Sequence, residues 1–358
     1  MAHRILGVDV GHRLIKVAVV DKTLRTNSLT AFDMEAVAPP YDSAARSEAL
    51  ARLTSRVSNP DDVVLTGLAN ASGMTRVLQF PFHDDKSLTE SVSFELESHI
   101  PVDIEEMTVE HAVMRIGEGE EDESDVLVVA VQNETIGGFL DLTRDAGLEP
   151  RRLGLSSLSL PSVINQLPGM AQGTTLLLDI GASGSESTLI EGGRVRDARS
   201  LPTGSDSVRQ HFANQFKTEG DEEDLLQSHC LLLPPGVEPE RPNDQILHHA
   251  TVAAVAPWIR EVRQNIALCQ SGGKKRPDRI VLTGGMCRLR GLVDYLEGVL
   301  SIEVRTLDLG QLTLSALGEH RDVSDFGAVA VALALQGTEL RSVQEVNFRK
   351  GDFAYEGD

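Results

Sequence analysis

Two stretches of the sequence decide the fold: residues 5–11, ILGVDVG, and residues 176–184, LLLDIGASG. In each, an apolar run typical of a buried strand reaches an aspartate and a glycine turn, and a second strand is predicted to follow. A glycine turn lets backbone N–H groups approach a phosphate, and the aspartate can hold a hydrated Mg²⁺. One such turn would indicate only a β-turn, but two predict a cleft between two similar lobes.

The rest of the chain reads as alternating strands and helices. A third apolar run, residues 279–285, RIVLTGG, also ends in glycines. Further strands are predicted at 14–20, 62–66, 77–80, 108–116, 126–131 and 195–201, and after the second glycine turn. Helices are predicted at 47–58, 86–99, 135–145, from Ser205 onward, and at 246–270, 289–299 and 326–335, the last packing on the first lobe.

These elements predict a division of the chain into five parts. They are the N-terminal part of the first lobe (1–75), an inserted α+β module (76–152), a return to the first lobe (153–173), the second lobe with a closing helix (174–345), and a tail (346–358).

Composition excludes several classes of function. Of 358 residues, 41% are hydrophobic, enough for two cores, and the formal net charge is −21. Such a surface repels nucleic acid and anionic lipid, so neither is expected as a direct partner. The three cysteines have no metal-site spacing and indicate a reducing compartment. The longest apolar run, residues 327–335, is about half of what a membrane span needs.

The three glycine-ended strands together resemble the actin/Hsp70/sugar-kinase superfamily. The first two turns match its phosphate-1 and phosphate-2 motifs, and residues 282–285, LTGG, match its adenosine motif. Residues 93–103, SFELESHIPVD, resemble a segment of the type IV pilus assembly protein PilM family. The resemblance implies an α/β, actin-like (ribonuclease H-like) two-lobed fold, with an inserted α+β module in place of actin subdomain 1B.

The tail resembles a second family with the same body. Residues 347–354, NFRKGDFA, are similar to the juxtamembrane segment of the type II secretion protein GspL, in which a transmembrane helix follows. This similarity implies that the chain is a cytoplasmic fragment and that residues 346–353 form no folded element. The alternative is a soluble PilM-type protein that binds the N-terminal peptide of an inner-membrane partner.

The resemblance also implies a site for ATP with Mg²⁺ in the cleft. Its residues, by role, are Asp9 and Asp179 for Mg²⁺, Gly11, Gly181 and Ser183 for phosphates, Arg13 and Lys16 as phosphate contacts, and Gly284 and Gly285 beside the nucleoside. The alternative interpretation, equally open at this stage, is that these glycines only close strand turns.

Three departures from the family pattern argue against ATP turnover. His12 and Arg13 follow the first turn, where PilM-like sequences place small hydroxyl residues. Met286 stands where a third glycine is common and is expected to narrow the approach to the base. Residues 222–226 lack the lysine of the family's segment beside the nucleoside. The sequence also contains no Walker motif, no HExxH and no GxSxG, which excludes other common catalytic sites.

The sequence therefore predicts a non-catalytic scaffold at the cytoplasmic face of the bacterial inner membrane. In the first hypothesis it recruits the N-terminal domain of a secretion ATPase to the inner-membrane platform proteins of type II secretion. The alternatives are the soluble PilM-type protein and an actin-like ATP-hydrolysing or filament-forming protein. A homodimer is a further candidate assembly, and no nucleic-acid partner is expected.

Overall fold

The computed structural model describes residues 3–24, 26–97, 104–117, 123–217, 225–271, 275–312, 321–338 and 344–357. The strands are β1 (His3–Val10), β2 (Leu14–Lys22), β3 (Asn27–Ala36), β4 (Val63–Leu68), β5 (Met74–Phe80), β6 (Met107–Arg115), β7 (Ser124–Gln132), β8 (Arg152–Leu155), β9 (Thr174–Ile180), β10 (Ser185–Glu191), β11 (Arg194–Leu201), β12 (Arg279–Thr283) and β13 (Glu303–Thr306). The helices are α1 (Ser43–Val57), α2 (Asp85–Glu97), α3 (Asn133–Asp145), α4 (Ser156–Ser159), α5 (Pro161–Ile164), α6 (Ser205–Phe216), α7 (Leu225–Ser228), α8 (Pro242–Ser271), α9 (Leu292–Leu300), α10 (Arg321–Phe326) and α11 (Ala328–Gln336).

The two lobes repeat one sheet topology. The first sheet has the strand order β3-β2-β1-β4-β8 and the second β11-β10-β9-β12-β13. In each lobe, the first three strands along the chain pair antiparallel and the last two pair parallel. The predicted two-lobed α/β architecture is confirmed. Because β1 and β9 hold the same place in their sheets, the glycine turns that follow them are equivalent.

Helix α11 joins the two lobes. All its residues from Ala328 to Leu335 are buried, and they share one apolar cluster with Ile5 of the first sheet and Val281 of the second. A Cβ at Gly7 would lie 1.9 Å from the carbonyl oxygen of Ala330, so only glycine lets β1 approach this helix. The predicted packing of the closing helix on the first lobe is therefore confirmed.

The inserted module is a three-stranded sheet covered by one helix. Its strand order is β5-β7-β6, and both neighbouring pairs are antiparallel. Helix α2 buries Leu88, Val92 and Leu96, the apolar residues whose spacing predicts it. Helix α3 lies between this module and the first lobe, because Ile136 packs under the module sheet and Leu142 packs with α1. The boundaries of the five parts stay a prediction.

An apolar cluster between the module, the two lobes and the tail, here called the back cluster, unites four segments. It contains Met114 and Leu127 from the module, Leu68, Leu153 and Leu155 from the first lobe, Val195 and Ala198 from the second lobe, and Val346 and Phe348 from the tail. The segments that form it are far apart in the sequence, and each contributes only a few apolar residues.

The tail is folded, which corrects the expectation from the sequence. Phe348 is fully buried, and its backbone N–H donates to the carbonyl oxygen of Leu153 at 2.8 Å. The Asn347 side chain accepts from the backbone N–H of Leu153 at 3.2 Å. Residues 346–353 look like a linker in isolation because their apolar side chains are too few to show a period. Their packing depends on the cluster that the other three segments build.

The other departures from the sequence predictions are additional strands and a longer helix. Strand β3 was not predicted, because its residues alternate weakly and its Asp33 and Glu35 face Arg56 on α1. Strands β8 and β13 have four residues each, too few to show a period. Helix α8 has 30 residues and continues through Pro257. Residues 98–103 and 222–224, singled out above, lie outside the described residues. Among the helices that the structure describes, none is both long and apolar enough to cross a membrane.

Candidate functional site

A cavity of about 880 Å³ lies between the lobes, where the two glycine turns face each other. All nine residues predicted from the sequence for the nucleotide site line it: Asp9, Gly11, Arg13, Lys16, Asp179, Gly181, Ser183, Gly284 and Gly285. The structure therefore brings together residues that lie up to 276 positions apart (9 to 285). Their roles toward a ligand stay a prediction.

The base of the cavity holds one ammonium group and two carboxylates. The antiparallel register of β1 and β2 places Asp9 opposite Lys16, and Nζ of Lys16 lies 2.8 Å from Oδ2 of Asp9. Burial alone would lower the pKa of Lys16, yet the charges of Asp9 and Asp179 raise it above its usual value. Burial raises the pKa of Asp179 to about 6, with Lys16 opposing the shift and Asp9 adding to it. Lys16 is thus the counter-ion of both aspartates.

The turn glycines have packing reasons of their own. The N–H of Gly11 donates to the carbonyl oxygen of Leu14 at 3.1 Å, and a Cβ there would lie 2.6 Å from that oxygen. Gly284 has a φ of +92°, and its Cβ would lie 2.4 Å from the carbonyl oxygen of Ile180. A side chain at either position would strain the turn with or without a ligand. The presence of these glycines is therefore no argument for a nucleotide by itself.

Arg13 reaches across the mouth of the cleft. Its Nε lies 2.5 Å from Oδ1 of Asp206 on α6 of the second lobe. Its Nη1 donates to the Tyr41 hydroxyl at 2.6 Å, and its guanidinium carbon lies 4.5 Å from the centre of the Tyr41 ring. The side chain predicted as a phosphate contact therefore has protein partners in both lobes.

Glu186 is a cleft residue that the sequence analysis missed. It lies on β10, and its carboxylate accepts from the backbone N–H of Asn70 in the first lobe at 3.3 Å and from the Ser200 hydroxyl at 3.2 Å. Burial raises its pKa to about 8, with the charge of Asp179 adding to the shift and the hydrogen bonds opposing it. The available signal was the strand alternation: Ser185 is buried beside Trp258 in the lobe core, so its neighbour must face the cleft.

At Gly284 and Gly285, the pair predicted to lie beside a nucleoside, the cavity is shaped by an aromatic residue. A Cβ at Gly285 would lie 3.0 Å from the Phe326 ring, and the guanidinium of Arg288 lies 4.6 Å from the centre of that ring. Arg288 is held by Asp325, with Nε 2.9 Å from Oδ2. Met286 is fully buried in the second-lobe core, so the expectation that it narrows the approach to the base is wrong. Phe326 takes that place.

These residues fit a magnesium nucleotide in outline. Mg²⁺ in nucleotide sites takes one or two carboxylates with water and phosphate oxygens, and Asp9 and Asp179 offer such a pair. Among the described residues no group of three or more His, Cys, Asp or Glu side chains could hold a metal, so the phosphates and water would complete the coordination. Lys16 and Arg13 would both have to exchange a protein carboxylate for phosphate. The two cations that would contact phosphate are thus already paired with carboxylates of the chain.

Comparison with known proteins relates the chain to pilus and secretion components. The family model described as type IV pilus assembly protein PilM matches residues 7–337. The solved PilM–PilN type IV pilus biogenesis complex contains a chain of the same fold, with 21% identity and a TM-score of 0.79, covering 94% of this chain and 99% of that one. No curated protein matches.

Two more distant structures also align. The ethanolamine utilization protein EutJ of Carboxydothermus hydrogenoformans has 14% identity and a TM-score of 0.48, over 92% of this chain and 89% of that one. The cytoplasmic domain of EpsL, an inner-membrane component of the type II secretion system of Vibrio cholerae, has 15% identity and a TM-score of 0.39, over 61% and 79%. The resemblance to the PilM family inferred from the sequence is therefore confirmed, by a family match over residues 7–337 and by a solved structure that covers 94% of the chain.

Proposed function

Because the chain belongs to the type IV pilus assembly protein PilM family, we propose that it is a non-catalytic scaffold that binds a cytoplasmic segment of an inner-membrane protein. The family match over residues 7–337 is the observation that carries the proposal. The pairing inside the cleft supports the non-catalytic part, because Lys16 and Arg13 already pair with Asp9 and Asp206. In this role the chain acts at the cytoplasmic face of the inner membrane through its partner.

The charge of the chain indicates the kind of segment that it binds. Residues 74–132, which span β5 to β7, contain fifteen aspartates and glutamates against three lysines and arginines. Cytoplasmic segments beside membrane spans are rich in lysine and arginine. A basic segment of a PilN-like partner therefore has the complementary charge, and its binding should weaken as salt screens the two surfaces.

The test uses a synthetic peptide of the N-terminal cytoplasmic segment of the PilN-like protein from the same organism. Fluorescence anisotropy with the full chain should show saturable binding that weakens several-fold between 50 and 300 mM NaCl. A scrambled peptide of the same composition is the control for charge alone. Absence of binding, or equal binding of both peptides, would remove the proposal.

Recruitment of a secretion ATPase is the second candidate function, favoured by the similarity of residues 347–354 to the GspL family. The measurement is the affinity of the chain for the N-terminal domain of the ATPase, with and without Mg-ATP. Tight binding that is indifferent to nucleotide would favour this candidate over the peptide-binding scaffold. A homodimer would be detected in the same samples by light scattering.

ATP hydrolysis is the candidate that the proposal rejects. We expect no phosphate release above background, alone or with either partner. Release that disappears in the Asp9→Ala variant would overturn the non-catalytic assignment.

A further inference from the structure

Three side chains at the mouth of the cleft, here called the clasp, connect the two lobes in a way that the binding of a partner segment does not require. Arg13 follows the first glycine turn, Tyr41 lies in the loop before α1, and Asp206 begins α6 in the second lobe. The Arg13–Asp206 pair joins positions 193 residues apart, and the two side chains are only 26% and 27% exposed. The clasp thus connects the two lobes beside the cavity, which Arg13 and Tyr41 both line.

Each member of the clasp is fixed by its own backbone. The carbonyl oxygen of Arg13 accepts from the N–H of Val37 at 2.9 Å, and the N–H of Asp206 donates to the carbonyl oxygen of Ala182 at 2.9 Å. Tyr41 has a φ of +63°, a left-handed conformation that costs a residue with a side chain about 1–2 kcal/mol. The strained Tyr41 backbone is what directs its ring and hydroxyl toward the guanidinium of Arg13.

In the clasp, a carboxylate of the chain takes the place that a phosphate would have beside the Arg13 guanidinium. A guanidinium fork binds carboxylate and phosphate oxygens through the same pairs of N–H donors. Asp206 supplies the anion from within the chain, and its N–H is held by the second glycine turn. The positions between the two phosphate turns are therefore bridged by one internal cation and one internal anion.

We propose that the clasp of Arg13, Tyr41 and Asp206 holds the cleft closed without nucleotide, and that a phosphate-bearing ligand binds only by displacing Asp206 from Arg13. The closing function that a nucleotide serves in a two-lobed binding protein is thereby built into this chain. The inference concerns the state of the lobes and holds for whichever partner the scaffold binds.

The test measures the distance between the lobes in the full chain without nucleotide. Spin labels at Ala44→Cys on α1 and Gln210→Cys on α6 are exposed and lie on the elements that carry the clasp. Cys287→Ser removes the partly accessible native thiol, while Cys230 and Cys269 are buried. Double electron–electron resonance should give one narrow distance distribution, unchanged by Mg-AMPPNP.

Breaking the Arg13–Asp206 ion pair should let the two lobes separate at the mouth of the cleft. We expect Asp206→Asn and Arg13→Gln each to reduce the closed-to-open ratio roughly fivefold, the effect of a partly exposed ion pair. The charge-swapped double variant, Arg13→Asp with Asp206→Arg, should restore part of the narrow distribution. A distribution that is already broad in the unmodified clasp, or one that Asp206→Asn leaves unchanged, would overturn the proposal.

A binding measurement tests the second half of the proposal separately. Asp206→Asn frees the Arg13 guanidinium and removes a repelling charge, so its affinity for Mg-AMPPNP should rise by about tenfold over the wild type. Arg13→Gln should not gain affinity. Thermal melting curves establish that each variant is folded. Tight Mg-AMPPNP binding by the wild type, accompanied by narrowing of the distance distribution, would contradict the clasp.

Discussion

Besides helix α11, the lobes of this molecule meet in two regions of opposite character. At the mouth of the cleft they are joined by the Arg13–Asp206 ion pair, and inside the cleft by the hydrogen bond from the backbone N–H of Asn70 to the carboxyl group of Glu186. At the back cluster they are joined by apolar side chains from the module, both lobes and the tail. Apolar contact is insensitive to salt and pH, whereas charged contact responds to both. The back cluster therefore holds the lobes together permanently, whereas the contacts at the mouth of the cleft can open.

The largest effect should come from breaking the apolar joint. Phe348→Ala removes a fully buried ring from the back cluster and should lower the free energy of unfolding by about 3–5 kcal/mol. Urea denaturation followed by circular dichroism measures this loss. The matched control is Phe94→Ala on α2, which is 78% exposed and should change stability by less than about 0.5 kcal/mol. Equal losses in the two variants would mean that the tail is not part of the joint.

The next largest effect concerns the base of the cleft. Lys16→Met leaves Asp9 and Asp179 without their counter-ion and should cost about 2–3 kcal/mol at pH 7. The loss should shrink as the pH falls through the raised pKa of Asp179, about 6, because protonation there removes one of the unpaired charges. Lys275→Met is the control: Lys275 pairs with Glu191 at 2.7 Å but is 74% exposed, so solvent screens the pair and no measurable loss is expected. A loss that persists unchanged at pH 4 would contradict the electrostatic cause.

A smaller effect is the dependence of stability on pH, which the contacts in the cleft should show and the back cluster should not. Burial raises the pKa of Glu186 from 4.5 to about 8, so between these values the folded chain holds a proton that the unfolded chain lacks. Stability then falls as the pH rises, by up to about 1.4 kcal/mol per pH unit. Glu186→Gln removes this dependence, so between pH 5 and 8 it should gain at least about 1 kcal/mol relative to the wild type in urea denaturation.

The half-buried Glu35 should show a pH dependence of the opposite sign. Hydrogen bonds from Arg52 and Arg56 lower the pKa of Glu35, so its contribution is present above the unfolded pKa and is lost as the pH falls. Glu35→Gln should therefore lose less than about 1 kcal/mol at pH 7 and nothing at pH 3. If Glu186→Gln showed the same sign as Glu35→Gln, the carboxyl of Glu186 would be ionised at neutral pH.

The smallest effect is expected at the second glycine turn. Ser183 lines the cavity, and in the part of the chain that the structure describes its hydroxyl has no hydrogen-bond partner. Ser183→Ala should change the free energy of unfolding by less than about 0.5 kcal/mol. Ser185→Ala, two residues on, removes the partner of the buried Trp258 indole and should cost about 1–3 kcal/mol. A thermal melt of each variant distinguishes them.

The sequence predicts what is local and misses what spans the cleft. The nine cavity residues are predictable because strand, aspartate and glycine stand together in each turn. Helix α2 is predictable because Leu88, Val92 and Leu96 recur every fourth residue. The Arg13–Asp206 pair is not predictable, because it depends on how two distant turns face each other. Phe348 is missed for the same reason, since its burial depends on surfaces that three other segments provide.

The close approach of Gly7 to helix α11 has a consequence for biosynthesis. Strand β1 is synthesised well before the helix that covers it, because Ala330 lies 323 positions after Gly7. At a synthesis rate of about 5–20 residues per second, the apolar face of the first sheet stays exposed for on the order of tens of seconds before helix α11 is made. A nascent chain that exposes such a face is open to aggregation for that time, and contacts of such long sequence separation form slowly. Production of this protein should therefore depend more on chaperone supply than on its final stability.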